Sequence, residues 1–174
     1  MNASLDHAQL LRILTEAADR LEGDWLLVGG AAAAIWFDPG RTTEDIDLVP
    51  LLDSMTARHH LLELAEHLAL PVEALNSAAD FFVRRIPGWE RDLVQFAEGQ
   101  RGRLFRPGPG LFLQLKLRRL TEVDFGDCEA LLRYLQTRSE TLATEPVLAA
   151  LAALPATDDP ALQDRRARLA LLLA

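Results

Sequence analysis

Apolar positions recur with a helical period over residues 4–22, which predicts a first helix that ends before Gly23. A short apolar run from Trp25 to Val28 predicts a buried strand, and a short helix is expected from Ala31 to Phe37. The alternation from Asp45 to Val49 predicts a second strand that Pro50 stops. A second long helix is expected from Met55 to Leu70, closed by Pro71.

The second half of the chain changes from mixed to purely helical patterning. Residues 81–86 and 91–97 are predicted to be strands of a hairpin that turns at Pro87-Gly88. The Gly-, Pro- and Arg-rich stretch 101–110 is expected to be a connector. Four helices are predicted after it, over residues 110–121, 125–137, 144–154 and 160–173. This order predicts an α/β (α+β) fold in which a small mixed sheet flanked by helices (domain 1–105) precedes a C-terminal helical bundle (domain 106–174).

Composition narrows the class of protein. The chain has 174 residues, of which 49% are hydrophobic and 25% charged, so a folded core is expected rather than disorder. No uncharged apolar stretch is long enough to span a bilayer, and the N-terminus does not have the pattern of a secretory signal. A single cysteine, Cys128, cannot form an internal disulfide and is expected to be a small core residue. These features predict a cytoplasmic protein with no membrane partner.

Charge is distributed unevenly along the sequence. The net charge is −8, which argues against bulk DNA binding because duplex affinity rests largely on phosphate neutralisation. Residues 84–119 nevertheless contain nine basic and three acidic residues, a local charge of +6 against −14 for the rest. This basic segment could bind a nucleotide or an RNA end, or its arginines could simply be solvated. Lys116 is the only lysine among the 18 basic residues.

The densest chemical pattern lies between the first two predicted strands. Gly29 and Gly30 stand where a strand turns into a helix, a place where a phosphate can approach free N–H groups, although a plain tight turn explains them equally well. Asp45 and Asp47 lie two apart on a strand, so their carboxylates share a face and favour a divalent cation such as Mg²⁺. Asp92, at the start of a later strand, is the candidate third carboxylate. In each case the alternative is a charge on a solvent-facing strand.

Lys116 lies in a very apolar helix, where it could contact phosphate or extend its ammonium to the surface. Asp127 follows eleven positions later and would share its face if the helix ran unbroken, which Gly126 makes doubtful. Asp124 is expected to cap the following helix. His60, Glu63 and His67 share a helical face, but the adjacent leucine stripe favours solvated histidines over a zinc site.

Taken together, these residues resemble the motifs of the nucleotidyltransferase superfamily. The Gly29-Gly30 turn followed by Arg41, Thr43, Asp45 and Asp47 is similar to the R-x-T-x-D-x-D pattern of its abortive-infection and minimal-nucleotidyltransferase branch. The run of Lys116, Asp124 and Asp127 is similar to a later K-x₇-D-x₂-D motif of that branch, although Val123 stands where the family often has a basic residue. Members of this branch include toxins of toxin–antitoxin and phage-defence systems.

The resemblance implies a chemistry and a set of roles. Gly29, Gly30, Arg41, Thr43, Lys116 and Asp127 would bind an NTP, while Asp45, Asp47 and Asp92 would be catalytic and would hold two Mg²⁺ ions. An NMP would pass to a hydroxyl of an RNA or tRNA end or of a protein, and a partner toxin or antitoxin is conceivable. The alternative is a non-catalytic binding or antitoxin module with the same fold.

Overall fold

The computed structural model describes residues 4–52 and 55–174, which fall into two compact units, one that ends at Pro107 and a second, Gly108–Ala174. The first unit is built around a five-stranded sheet in the order β3-β2-β1-β5-β4. Its strands are β1 (Gly23–Val28), β2 (Ile46–Pro50), β3 (Leu75–Asn76), β4 (Leu93–Glu98) and β5 (Gly102–Pro107). Its helices are α1 (His7–Arg20), α2 (Gly29–Trp36), α3 (Ala57–His67) and α4 (Asp80–Val83). The break after Pro107 lies two residues beyond the predicted domain boundary.

The sheet contains both parallel and antiparallel pairs of strands, and this pairing determines which strand ends lie together. β1 pairs antiparallel with β2 and parallel with β5, while β4 is antiparallel to β5 and β3 is parallel to β2. The end of β1 and the starts of β2 and β4 therefore lie at one edge of the sheet. Helices α1 and α2 pack on the strands through alanines and leucines that are fully buried. The predicted small mixed sheet flanked by helices is confirmed.

Two predictions for residues 81–110 are wrong. The predicted strand 81–86 is the short helix α4 followed by turns, because only Val83 of its apolar run is buried. The predicted connector 101–110 contains β5, an inner strand of the sheet. Consequently the hairpin does not turn at Pro87-Gly88; β4 pairs with β5 through residues 99–101. The two-residue strand β3 was not predicted at all.

The hairpin between β4 and β5 requires glycine at two positions, Gly99 and Gly102. Its tip lies against the end of α1, where the Arg101 N–H donates to Ala18 O and Arg101 O accepts from the Gly23 N–H. A Cβ at Gly99 would overlap the Ala18 backbone, and one at Gly102 would overlap the carbonyl oxygen of Leu21. Backbone therefore packs on backbone at this corner, which only glycine permits.

The second unit is helical, with α5 (Pro109–Leu117), α6 (Glu122–Arg138), α7 (Glu145–Ala152) and α8 (Pro160–Leu173). The break between α5 and α6 falls at Leu120, whose φ is 39°, and not at Gly126, which lies inside α6. Thr121 is the N-cap of α6 and forms a reciprocal capping box with Asp124. Asp124 therefore takes part in the cap, as expected, but from the third helical position.

Candidate functional site

The first component of the candidate site is the turn from β1 into α2. Gly29 has a φ of 72°, a left-handed conformation that favours glycine. Val28 is the register partner of Asp47 on β2, so the Asp47 carboxylate lies beside the turn. A Cβ on Gly29 would come within 3.3 Å of Asp47 Oδ2. Gly29 is thus required both for its backbone conformation and for the approach of this carboxylate.

Arg41 and Thr43 lie over the second glycine of the turn. A Cβ on Gly30 would be 2.9 Å from Arg41 Nη2 and 3.1 Å from Thr43 Oγ1. Arg41 also donates from Nη1 to the carbonyl of Thr42 at 3.1 Å. The guanidinium is therefore directed to the start of α2. The predicted set Gly29, Gly30, Arg41 and Thr43 comes together in three dimensions.

Asp45 and Asp47 flank the first residue of β2. Asp45 precedes the strand, is exposed, and has its Oδ1 3.4 Å from Thr43 Oγ1. Asp47 is half-buried and lies between Ile46 and Leu48, which are both fully buried on the opposite face. The prediction that both carboxylates lie on a strand is thus correct for Asp47 but wrong by one residue for Asp45.

The loop that carries these residues is held by the segment before α1. Leu5 N–H donates to Thr43 O at 2.7 Å, and Thr43 N–H donates to Leu5 O at 3.2 Å. His7 Nδ1 lies 2.8 Å from Ala34 O on α2. The two hydrogen bonds between Leu5 and Thr43, which tether the loop, join main-chain atoms only. They leave no side-chain pattern, so the tether was not predicted from the sequence.

Asn76 is a site residue that sequence reasoning missed. It is the register partner of Asp47 on β3, so both side chains are on the same face of adjacent strands. Its Oδ1 accepts from the Ala78 N–H at 3.0 Å, which fixes the amide next to Asp47. Because β3 has only two residues, no alternation in the sequence could have indicated this position.

Asp92 does not join the other two carboxylates. It directly precedes β4, which lies three strand positions from β2, a separation of about 14 Å. Within residues 4–52 and 55–174, no group of three or more Asp, Glu, His or Cys side chains is arranged to hold a metal. The roles of Asp45, Asp47 and Asp92 in holding a metal therefore stay predictions.

Lys116 is buried in the second unit, bonded to two carboxylates. Its Nζ donates to Asp124 Oδ1 at 2.9 Å and to Asp127 Oδ2 at 2.7 Å, and all three side chains are at most 8% exposed. Burial alone would raise the pKa of Asp124, but the Lys116 charge and the hydrogen bonds from Lys116 and Thr121 together lower it. Nearby, burial raises the pKa of the Cys128 thiol to about 12, which suits the expected core residue.

The basic segment 84–119 is largely neutralised by acids outside it. Arg103 forms a bidentate pair with Asp24 at 2.6 and 2.7 Å, and Arg101 pairs with Glu22 at 3.3 Å. Arg84 and Lys116 are likewise paired with carboxylates. The local charge of +6 counted along the sequence is therefore partly offset by carboxylates from other parts of the chain.

Comparisons with known proteins bear on the fold. No protein-family model matches the chain, and no curated protein matches it significantly. The chain is similar to the crystal structure of an antigenic nucleotidyltransferase-like protein from Paracoccidioides brasiliensis, with a TM-score of 0.57 over 98% of this chain and 94% of that chain. The sequence identity is 17%. The chain has a nucleotidyltransferase-like fold. Among the described residues, no helix has the length and apolar character needed to cross a membrane.

Proposed function

We propose that the protein is a Mg²⁺-dependent nucleotidyltransferase that moves an NMP from an NTP to a hydroxyl. The observation that carries the proposal is the meeting of Asp47 with Gly29 and of Arg41 and Thr43 with Gly30, at the start of α2. An anionic group beside Gly29 and a cationic group beside Gly30 thus lie next to the same turn. The nucleotidyltransferase-like fold supports nucleotidyl transfer as the class of chemistry.

The donor set fits one Mg²⁺ ion. Mg²⁺ in phosphoryl-transfer sites is commonly held by one or two carboxylates together with substrate phosphates and water. Asp45 and Asp47 would be two such oxygen ligands at the start of β2, and Gly29, which has no side chain, lies beside Asp47 Oδ2. When bound, the ion supplies positive charge to the phosphates and polarises the α-phosphate. The second ion stays a prediction, since it relied on Asp92.

The residues around the turn would bind and orient the nucleotide. The start of α2 offers free backbone N–H groups and the positive end of a helix dipole to the triphosphate. Arg41 adds a positive charge there, and Thr43 holds Asp45 through its hydroxyl. This arrangement would hold the α-phosphate for attack by the acceptor hydroxyl, which forms the new P–O bond as pyrophosphate leaves. The predicted phosphate role of Lys116 and Asp127 stays a prediction.

The proposal also includes the branch of the superfamily, the class of acceptor and the biological role. We place the chain in the abortive-infection and minimal-nucleotidyltransferase branch because Arg41, Thr43, Asp45 and Asp47 match its motif and cluster at the turn. The acceptor would then be an RNA end or a protein hydroxyl, and the protein would serve as a toxin of a toxin–antitoxin or phage-defence pair.

The test is labelling with α-³²P-NTPs and Mg²⁺ in cell extract. We expect a labelled RNA or protein band that Asp47→Asn reduces about a thousandfold, since the metal supplies several kcal/mol to transfer. Glu44→Gln is the matched control, because it removes an exposed carboxylate next to Asp45. Labelling that survives Asp47→Asn contradicts the metal assignment. Absence of labelling, with no effect of NTP and Mg²⁺ on the melting temperature, indicates the non-catalytic module instead.

A further inference from the structure

Asn76 lies beside Asp47 on the face of the sheet that carries the candidate site. The two residues are register partners across the parallel pair β2 and β3, and the preceding partners are Ile46 and Leu75. Ile46 and Leu75 are buried, at 0% and 3% exposure, whereas Asp47 and Asn76 are half-buried. Because successive residues of a strand point to opposite faces, Asp47 and Asn76 share the face that is turned away from this core pair.

The side-chain amide of Asn76 is held in one orientation by its own chain. Its Oδ1 accepts from the Ala78 N–H at 3.0 Å, so the oxygen is the atom that closes the turn after β3. The Nδ2 group carries two N–H donors. Among residues 4–52 and 55–174, no hydrogen bond from Asn76 Nδ2 is present. Asn76 can therefore donate to a ligand that lies beside Asp47.

An uncharged donor next to Asp47 favours an uncharged ligand group. A phosphate at this position would favour a cation such as arginine, and a second metal ion would favour another carboxylate. An amide N–H instead forms an ordinary hydrogen bond with a neutral oxygen such as that of a hydroxyl. The chemistry of Asn76 therefore points to the sugar of a nucleotide and not to its phosphates.

The order of the strands places Asn76 on the far side of Asp47 from the glycine turn. β2 lies between β1, which ends at the turn, and β3, which carries Asn76. Neighbouring strands are about 4.8 Å apart, so Asn76 is about 10 Å from β1. A nucleotide with its β- and γ-phosphates at the start of α2 and its α-phosphate beside Asp47 would extend its ribose towards Asn76.

We infer that Asn76 is a specificity-determining residue that donates from Nδ2 to a ribose hydroxyl of the NTP. The inference rests on the proposed function, because it takes the phosphates of the nucleotide to lie at the glycine turn. Asn76 contributes a hydrogen bond that a nucleotide without sugar hydroxyls cannot form, so the site selects ribonucleotides. The hydroxyl of the acceptor has the same chemistry, and the test separates these two sources.

The test is isothermal titration calorimetry of the full chain, with Mg²⁺, against each of the four NTPs and its 2′,3′-dideoxy analogue. The wild type should bind the ribonucleotide about three- to tenfold more tightly, as expected for one neutral hydrogen bond. Asn76→Ala should bind both forms equally. Asn76→Ser retains an oxygen that can accept from the Ala78 N–H but lacks the amide, so it should lose the preference too. Ser77→Ala is the matched control and should keep the preference, because Ser77 bonds the Asp80 N–H through its main-chain oxygen.

A preference that Asn76→Ser retains would overturn the inference, because Asn76 would then only hold the turn. Equal binding of both nucleotide forms by the wild type, or an unchanged preference in Asn76→Ala, would overturn it and leave the proposed function intact. If that unchanged preference is accompanied by weaker labelling of the acceptor band, Asn76 contacts the acceptor hydroxyl instead. Absence of NTP binding by the wild type would contradict the proposed function itself, and the inference with it.

Discussion

Lys116→Met tests whether the buried lysine holds the second unit together. The substitution retains an unbranched apolar chain but removes the charge that bonds Asp124 at 2.9 Å and Asp127 at 2.7 Å. Both carboxylates are about 95% buried and would lose their cation. Breaking a buried pair in this way costs about 3–5 kcal/mol of unfolding free energy. For a chain of this length, that corresponds to a melting temperature lower by roughly 6–20 °C.

The assay is thermal and urea unfolding followed by far-UV circular dichroism, with Arg119→Met as the matched control. Arg119 approaches the same carboxylate, Asp124, at 3.8 Å but is 79% exposed. Its loss should change the free energy of unfolding by no more than about 0.5 kcal/mol. If Lys116→Met is within 1 kcal/mol of the wild type, or if both variants are equally destabilised, the assignment of Lys116 as a structural ion-pair residue is wrong.

Lowering the pH should change the contribution of Asp124 to stability in opposite directions in the wild type and in Lys116→Met. In the wild type the pKa of Asp124 is lowered, so its stabilisation is full above the ordinary Asp pKa of about 3.9 and is lost as the pH falls through the lower folded value. In Lys116→Met the buried Asp124 carboxylate lacks its cation, so desolvation raises the Asp124 pKa. The variant should therefore recover stability relative to the wild type as the pH falls from 7 towards 5. A constant difference over that range contradicts this reasoning.

Three glycine substitutions should have different outcomes. Gly102→Ala places a Cβ against the carbonyl oxygens of Leu21 and Gly23 and should destabilise the protein by about 3 kcal/mol in urea unfolding. Gly126→Ala meets nothing within 4 Å inside α6 and should stabilise it by about 1 kcal/mol; a loss would show that the helix is not regular there. Gly30→Ala displaces the Arg41 guanidinium, so calorimetry should show weaker NTP binding with little change in melting temperature.

Helices and the first two strands could be predicted from sequence because their signals are local. The capping box of α1 lies within a few residues of the helix start, and the alternation that buries Ile46 and Leu48 lies within β2. The resemblance to the R-x-T-x-D-x-D pattern grouped Arg41 and Thr43 with Gly29 and Gly30 as nucleotide-binding residues, and the structure places the Arg41 and Thr43 side chains beside Gly30. In that segment, residues that the motif groups together are also close to one another in the fold.

The rest of the fold depends on contacts distant in sequence. β5 carries Arg103 and ends in proline, so nothing local marks it as an inner strand; Asp24, 79 residues earlier, compensates the Arg103 charge. Phe81 and Phe82 have the apolar character of a buried strand, yet both are exposed. A count of charges along the chain likewise misses such pairs, which is why the basic segment appeared more positive than the folded surface is.

The tether at Leu5 has a consequence for the proposed site that motif matching does not provide. The loop before β2 is fixed at Thr43 by two backbone hydrogen bonds, while the Thr43 side chain lies over Gly30 and beside Asp45. The positions of Asp45, the proposed metal ligand, and of the glycine turn thus depend on Thr43, whose own position is set from the N-terminal segment. Because those bonds involve only main-chain atoms, Thr43→Ser should preserve the site, whereas Thr43→Val should disturb Asp45 and leave the tether intact.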